Sequence, residues 1–220
     1  HTSFYMATNA INLTREVVQR LAELGNVCPM ISLEGFEQTT DAVRGKGVFM
    51  QVLTAMRLCQ ESKLPFTVTV TVTKQNRLEV TSPTFLKLLD SYRCCGVSYS
   101  CYVAIGRSAN PNQELSIEES EELESVRDIT LSDFAMFPTV GRNGTTRVTN
   151  CFAARQYFHV LPNGQVEPCP FTQWADPQRN IENYSILDIT ASQFFTVIRH
   201  LNEEGIAGVT PCRAIRLTSL

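Results

Sequence analysis

Phe66-Thr67-Val68-Thr69-Val70-Thr71-Val72-Thr73 is the stretch on which the fold turns. Valine and threonine are β-branched, stiff at χ1, and suited to a pleated strand. Upstream, Phe49, Val52, Leu53, Met56 and Cys59 recur at helical spacing within residues 47–60. Downstream, Phe85, Leu88, Leu89 and Tyr92 do the same within 83–92. A strand between two such helices is the unit of a parallel sheet, whose neighbouring strands need crossover connections.

The alternation continues in both directions. Phe4–Thr8 is short and apolar, and Val17, Val18, Leu21 and Leu24 follow at helical period with Thr14 placed to cap them. Val27–Leu33 and Val97–Ala104 read as further strands, and Ile117–Val126 as an acidic amphipathic helix. Strands therefore begin near residues 4, 27, 66 and 97, each spacing holding one helix. The expected fold class is α/β, with right-handed βα units forming half or more of a barrel or an open doubly wound sheet.

After about residue 130 the pattern changes. Gly141-Arg142-Asn143-Gly144 is turn-rich, and Tyr157–Leu161 and Gln165–Pro168 flank Pro162-Asn163-Gly164, a hairpin signal. A last helix, about Ser192–Leu201, presents Phe194, Phe195, Ile198 and Leu201. The expected division is a βα region over 1–135 and a small hairpin-plus-helix, cysteine-containing module over 136–220.

Composition narrows the function classes. The 220 residues are 43% hydrophobic and 19% charged, with a net charge of -3. That describes a chain with a core, without the basic stripe of a nucleic-acid binder. No apolar run approaches the roughly 20 residues needed to span a bilayer. Neither nucleic acid nor membrane is an expected partner. Eight cysteines are too few for a disulfide scaffold. Reduced thiols or metal ligands in a cytoplasmic protein are expected instead. The chain starts at His1, and Phe4-Tyr5-Met6-Ala7 already reads as a buried strand. The expectation is a start inside a domain, with an N-terminal part missing.

In parallel βα folds the ligand site lies at the C-terminal ends of the strands. Those ends are Thr8-Asn9, Ser32-Leu33-Glu34-Gly35, Thr73 with Asn76 behind it, and Ile105-Gly106-Arg107. Ser32 and Glu34 are two apart and share a side of an extended chain. A hydroxyl beside a carboxylate suits a sugar diol. An ordinary capped loop gives the same polarity. Cys151, Cys169 and Cys212 form a second constellation; Cys169 lies in Val166-Glu167-Pro168-Cys169-Pro170-Phe171 and Cys212 follows Pro211. Thiolates suit iron–sulfur iron or zinc, and three buried thiols used as small hydrophobes remain an alternative. Cys28, Cys59, Cys94, Cys95 and Cys101 read as packing or incidental residues. So do His159 and Trp174.

The run Ser32-Leu33-Glu34-Gly35, then Asp41, Arg44-Gly45 and Phe49, resembles the fourth-strand region of radical S-adenosylmethionine (SAM) enzymes. Thr8-Asn9-Ala10 is similar to their third-strand T-N-G, with Ala10 in place of the usual glycine. Thr67–Thr73 with Asn76 resembles the fifth strand, and Tyr102–Gly106 the sixth. Cys151 through the hairpin to Cys169, with Cys212, resembles the SPASM/twitch-type C-terminal extension. The resemblance implies a partial radical SAM barrel followed by an auxiliary-cluster module. It implies that Thr8, Asn9, Ser32, Glu34, Arg44, Asn76, Val103 and Ile105 bind cofactor: Ser32 and Glu34 the SAM ribose, Arg44 the SAM carboxylate, and Val103 to Ile105 the adenine. Cys151, Cys169 and Cys212 would hold an auxiliary 4Fe–4S cluster, leaving a fourth ligand unassigned.

The resemblance further implies a 5′-deoxyadenosyl radical that abstracts hydrogen from a peptide or small-metabolite substrate, fed by a reductant such as flavodoxin or ferredoxin. The C-x3-C-x2-C triad of the family's catalytic cluster does not occur in the chain. Catalytic residues are expected upstream of residue 1, and the chain alone is expected to be inactive in SAM cleavage. Another (β/α)-barrel enzyme with a structural zinc site, or a degenerate non-catalytic binding module, are the competing readings.

Overall fold

The computed structural model describes residues 2–106, 109–141, 153–171 and 175–204. They form two compact units: 1–104 with 110–142, and 105–109 with 143–220.

In the first unit, β1 (Phe4–Thr8), β2 (Val27–Ser32), β3 (Thr67–Val72), β4 (Gly96–Cys101) and β5 (Phe137–Gly141) form one all-parallel sheet in that order. Between them run α1 (Arg15–Leu24), α2 (Glu37–Arg44), α3 (Val48–Glu61), α4 (Arg77–Val80), α5 (Pro83–Ser91) and α6 (Ile117–Asp133). Thr14 caps α1 as expected, its hydroxyl accepting from the Val17 N–H at 3.3 Å. Ser116 and Glu119 close a reciprocal capping box on α6, which runs seven residues beyond the Val126 expected from sequence.

The sheet is two-faced. Val68, Val70 and Val72 on β3, Val97, Tyr99 and Cys101 on β4, and Ile31 on β2 are at most 2% exposed. They share one core cluster with Val18, Val52, Met56, Phe85 and Leu123 from the helices. The alternate positions carry hydroxyls. Register aligns Ser32 with Thr69, Thr69 with Ser98, and Ser98 with Thr139, a row across four strands. Purely parallel sheets are ordinarily apolar on both faces; here the helices cover one face and the other carries this hydroxyl row beside Met30 and Phe137.

Two strands differ from expectation. β5 was not foreseen, and it places Phe137–Gly141, assigned from sequence to the C-terminal module, in the sheet. Gly96 permits this pairing, because a Cβ there would lie 2.6 Å from the Phe137 carbonyl oxygen. β1 is less buried than its composition suggests: Phe4 and Tyr5 are 55% and 70% exposed, because β1 is an edge strand.

The second unit contains β6 (His159–Val160) paired antiparallel with β7 (Val166–Glu167), then α7 (Ile186–Thr190) and α8 (Gln193–Glu204). The hairpin is shorter than expected. In its turn Gly164 has φ +82° and its N–H donates to the Leu161 carbonyl at 2.9 Å. Ala154, Val166, Ile189, Phe195 and Ile198 form its core.

Candidate functional site

The C-terminal ends of β2 and β3 meet in a polar knot. Glu34 follows β2 and is 3% exposed. A carboxylate that deep must be paired. Its Oε1 accepts from Arg44 Nε at 3.1 Å and from Arg44 Nη2, and its Oε2 from the Thr71 N–H at 2.8 Å. α2, absent from the sequence reading, brings Arg44 back over the loop that holds Glu34.

The knot is stitched further from the β3 side. Asn76, 4% exposed, donates through Nδ2 to the carbonyls of Glu34 (2.9 Å) and Thr71 (3.0 Å). Its Oδ1 accepts from the Thr73 N–H at 2.8 Å and hydroxyl at 3.1 Å. Thr40 donates its hydroxyl to the Gly35 carbonyl at 2.8 Å. Glu79 accepts from the Phe36 N–H and the Thr39 hydroxyl. Gly35 has φ +144°, and a Cβ there would lie 2.8 Å from the Glu79 carboxylate, so glycine alone fits. Asp41 accepts from the N–H groups of Gly47 and Phe49 at the start of α3. The Phe49 N–H, then the Gly47 N–H, hold its carboxyl below the ordinary value. Thr40 and Glu79 carried no sequence signal, because their importance lies in partners from other loops.

Of the sequence-predicted cofactor residues, Ser32, Glu34, Arg44 and Asn76 are thus brought together. Glu34, Arg44 and Asn76 are bonded to the protein itself. Ser32, half-buried, ends β2 in the hydroxyl row. At the end of β1, Thr8 Oγ1 accepts from the Ala10 N–H at 3.0 Å and Asn9 Oδ1 from the Ile11 N–H at 3.3 Å. Both side chains shape a turn in which Ala10 takes φ +65° while 2% exposed. Val103 is 8% exposed beyond β4, and Ile105 belongs to the second unit.

Of the predicted metal ligands, Cys151 and Cys212 lie outside the described residues. Cys169 is 2% exposed. Its Sγ accepts from the Tyr157 hydroxyl at 3.6 Å and from the Phe171 N–H at 3.5 Å. A sulfur receiving two donors suits a metal-bound thiolate, whose negative charge such bonds stabilise. Among the described residues there is no group of three His, Cys, Asp or Glu side chains arranged to hold a metal. Beside Cys169, His159 Nδ1 meets the Glu167 carboxylate at 3.0 Å across the hairpin.

The fold has close counterparts among solved structures. Streptococcus suis SuiB superposes with a TM-score of 0.74 at 14% identity, covering 89% of this chain and 50% of that one. Its SAM-bound form gives 0.71 at 14% identity, covering 90% and 50%. The first unit thereby shares the fold of that protein, a parallel α/β sheet consistent with part of a barrel.

Residues 151–214 match the SPASM family, described as an iron-sulfur cluster-binding domain. Fe-coproporphyrin III synthase of Methanosarcina barkeri is 31% identical over 119 residues, covering 53% of this chain and 29% of its own length. Mycofactocin maturase MftC of Mycolicibacterium smegmatis is 29% identical over 190 residues, covering 78% and 46%. The chain spans less than half the length of these curated relatives. Its C-terminal part therefore matches an iron-sulfur cluster-binding domain, and most of its length is similar to the maturase.

Proposed function

We propose that this chain is the later barrel and auxiliary-cluster portion of a radical SAM enzyme acting on a peptide. The observation that carries the reading is the joint presence, in one chain, of the radical SAM barrel fold and the SPASM segment. SAM and 4Fe–4S clusters are the cofactors this implies; when bound and reduced they supply a 5′-deoxyadenosyl radical able to take hydrogen from a substrate. Peptide as the substrate class is supported by relatives named as maturases, and by SuiB having been crystallised with its precursor peptide SuiA.

The chain's own residues bind and position. Ser32 offers its hydroxyl at the strand end, flanked by the Thr69 and Ser98 row, where a ribose could be gripped. Thr8 and Asn9 hold the turn after β1. The Glu34–Arg44 pair and Asn76 fix the loop that follows Ser32, which sets Glu34 towards the ribose and Arg44 towards the SAM carboxylate. Val103, beyond β4 in the first unit, supplies apolar surface for an adenine. Cys151, Cys169 and Cys212 hold the auxiliary cluster, with Tyr157 and the Phe171 N–H supporting the sulfur of Cys169. The reductant is a low-potential one-electron donor of the flavodoxin or ferredoxin class, in the cytoplasm, where thiols stay reduced. No described helix is long and apolar enough to cross a membrane.

The test is anaerobic reconstitution of the chain with iron and sulfide. A brown protein absorbing near ~400 nm, with that band lost in Cys169→Ala, is the expected result. A colourless protein that retains zinc would replace the cluster reading with a structural zinc site. The reconstituted chain is expected not to cleave SAM, because it carries no C-x3-C-x2-C triad.

A further inference from the structure

Cys169 follows β7 and is 2% exposed, yet two donors reach its sulfur from opposite directions along the chain. The Phe171 N–H reaches back over two residues at 3.5 Å, a contact of the backbone that does not depend on the side chain at 171. The Tyr157 hydroxyl reaches forward over twelve residues at 3.6 Å. Tyr157 is 44% exposed, so part of its ring meets water while its hydroxyl is turned to the sulfur. Of these two donors, only the phenol depends on the identity of a side chain. Phenylalanine would fill the same space and donate nothing.

A thiolate on an iron–sulfur cluster gains negative charge when the cluster takes up an electron. A donor aimed at that sulfur therefore stabilises the reduced form more than the oxidised form, and raises the reduction potential. Burial amplifies the effect, because a low local dielectric strengthens a hydrogen bond to a charge. Tyr184 of the same module gives the contrast. It is 42% exposed, much like Tyr157, but its ring takes the Arg179 guanidinium over its face, 5.1 Å from the centroid.

We propose that Tyr157 sets the reduction potential of the auxiliary iron–sulfur cluster, raising it through the hydrogen bond from its hydroxyl to the Cys169 sulfur. This rests on the reading of Cys169 as a cluster ligand and adds to it a residue that governs how readily the cluster accepts an electron. Reduction moves one electron from the donor to the cluster. No bond to Tyr157 forms or breaks, and the phenol keeps its proton.

The test is a dye-mediated dithionite titration of the iron–sulfur-reconstituted chain, followed by electron paramagnetic resonance. In Tyr157→Phe the ratio of reduced to oxidised cluster at the wild-type midpoint is expected to fall about tenfold. For one electron that is a downward shift of about 59 mV. Iron and sulfide content should stay at the wild-type level, and Tyr184→Phe should leave the potential where it is. Electron–nuclear double resonance on the reduced cluster gives a second readout. Tyr157→Phe should lack one proton coupling that exchanges in deuterated water, whatever happens to stability. A potential that stays put or rises in Tyr157→Phe overturns the proposal, as does an equal shift in Tyr184→Phe. So does loss of the cluster in Tyr157→Phe, since Tyr157 would then hold the site together rather than tune it. A wild-type chain that takes up no cluster overturns the proposed function and this inference with it. A fully loaded cluster indifferent to Tyr157 overturns this inference alone.

Discussion

In the sheet unit, the buried carboxylate of Glu34 faces a guanidinium that is charged at every accessible pH, and the unit has a core reaching from Ala10 to Met136. In the cysteine module, Glu167 is 6% exposed and faces His159, an imidazole that is charged only when protonated. The core there is Ala154, Val166, Ile189, Phe195 and Ile198, and the hairpin strands are two residues long. The first unit has the hydrophobic area and the permanent ion pair to hold its loops. Among the described residues the second shows the smaller apolar cluster, the situation in which small domains lean on a metal or other staple.

The largest effect that separates the two regions should come from removing the metal. After reconstitution, a chelator should lower amide-exchange protection across residues 153–204 by about a hundredfold or more, while β2, β3 and β4 keep theirs. Equal loss in both units would erase the distinction.

Next in size are the two ion pairs. Arg44→Met strands a buried charge and should destabilise the sheet unit by about 3 kcal/mol in urea unfolding. Adding Glu34→Gln should recover most of that. His159→Leu in the module should cost about 1 kcal/mol, because a hydrogen bond rather than a permanent charge partner is lost. Effects of reversed order would mean that the module is the better-held region.

The smallest effect belongs to Ala10, a non-glycine residue at φ +65°. Ala10→Gly should raise stability by up to about 1 kcal/mol, relief of the left-handed strain outweighing the added freedom of the unfolded chain. A loss of stability would show that the methyl, 2% exposed in the core, matters more than the backbone.

Much of this architecture was legible before any coordinates. The Val/Thr run became β3, and Phe49, Val52, Met56 and Cys59 became the buried face of α3, because strong periodicity reports burial directly. β5 was hidden by Pro138 in its second position; proline reads as a strand breaker, yet it is tolerated on the edge strand that β5 forms. α2 was hidden because Glu37-Gln38-Thr39-Thr40-Asp41 carries no apolar stripe and Phe36 gives it no side-chain cap. The hydroxyl row was latent in the strict alternation Thr67-Val68-Thr69-Val70-Thr71-Val72, whose period of two assigns the threonines to one face.

By itself the sequence determined the βα order, the polar strand ends, the hairpin and the cysteines beside it, since each is a matter of local spacing and residue chemistry. Only the tertiary structure decided what those polar residues face. Glu34 and Arg44 are ten positions apart, Asn76 reaches Glu34 across 42, and Arg199 meets Ala154 across 45. Whether a charged group is compensated within the fold depends on such long-range meetings, which no local pattern encodes.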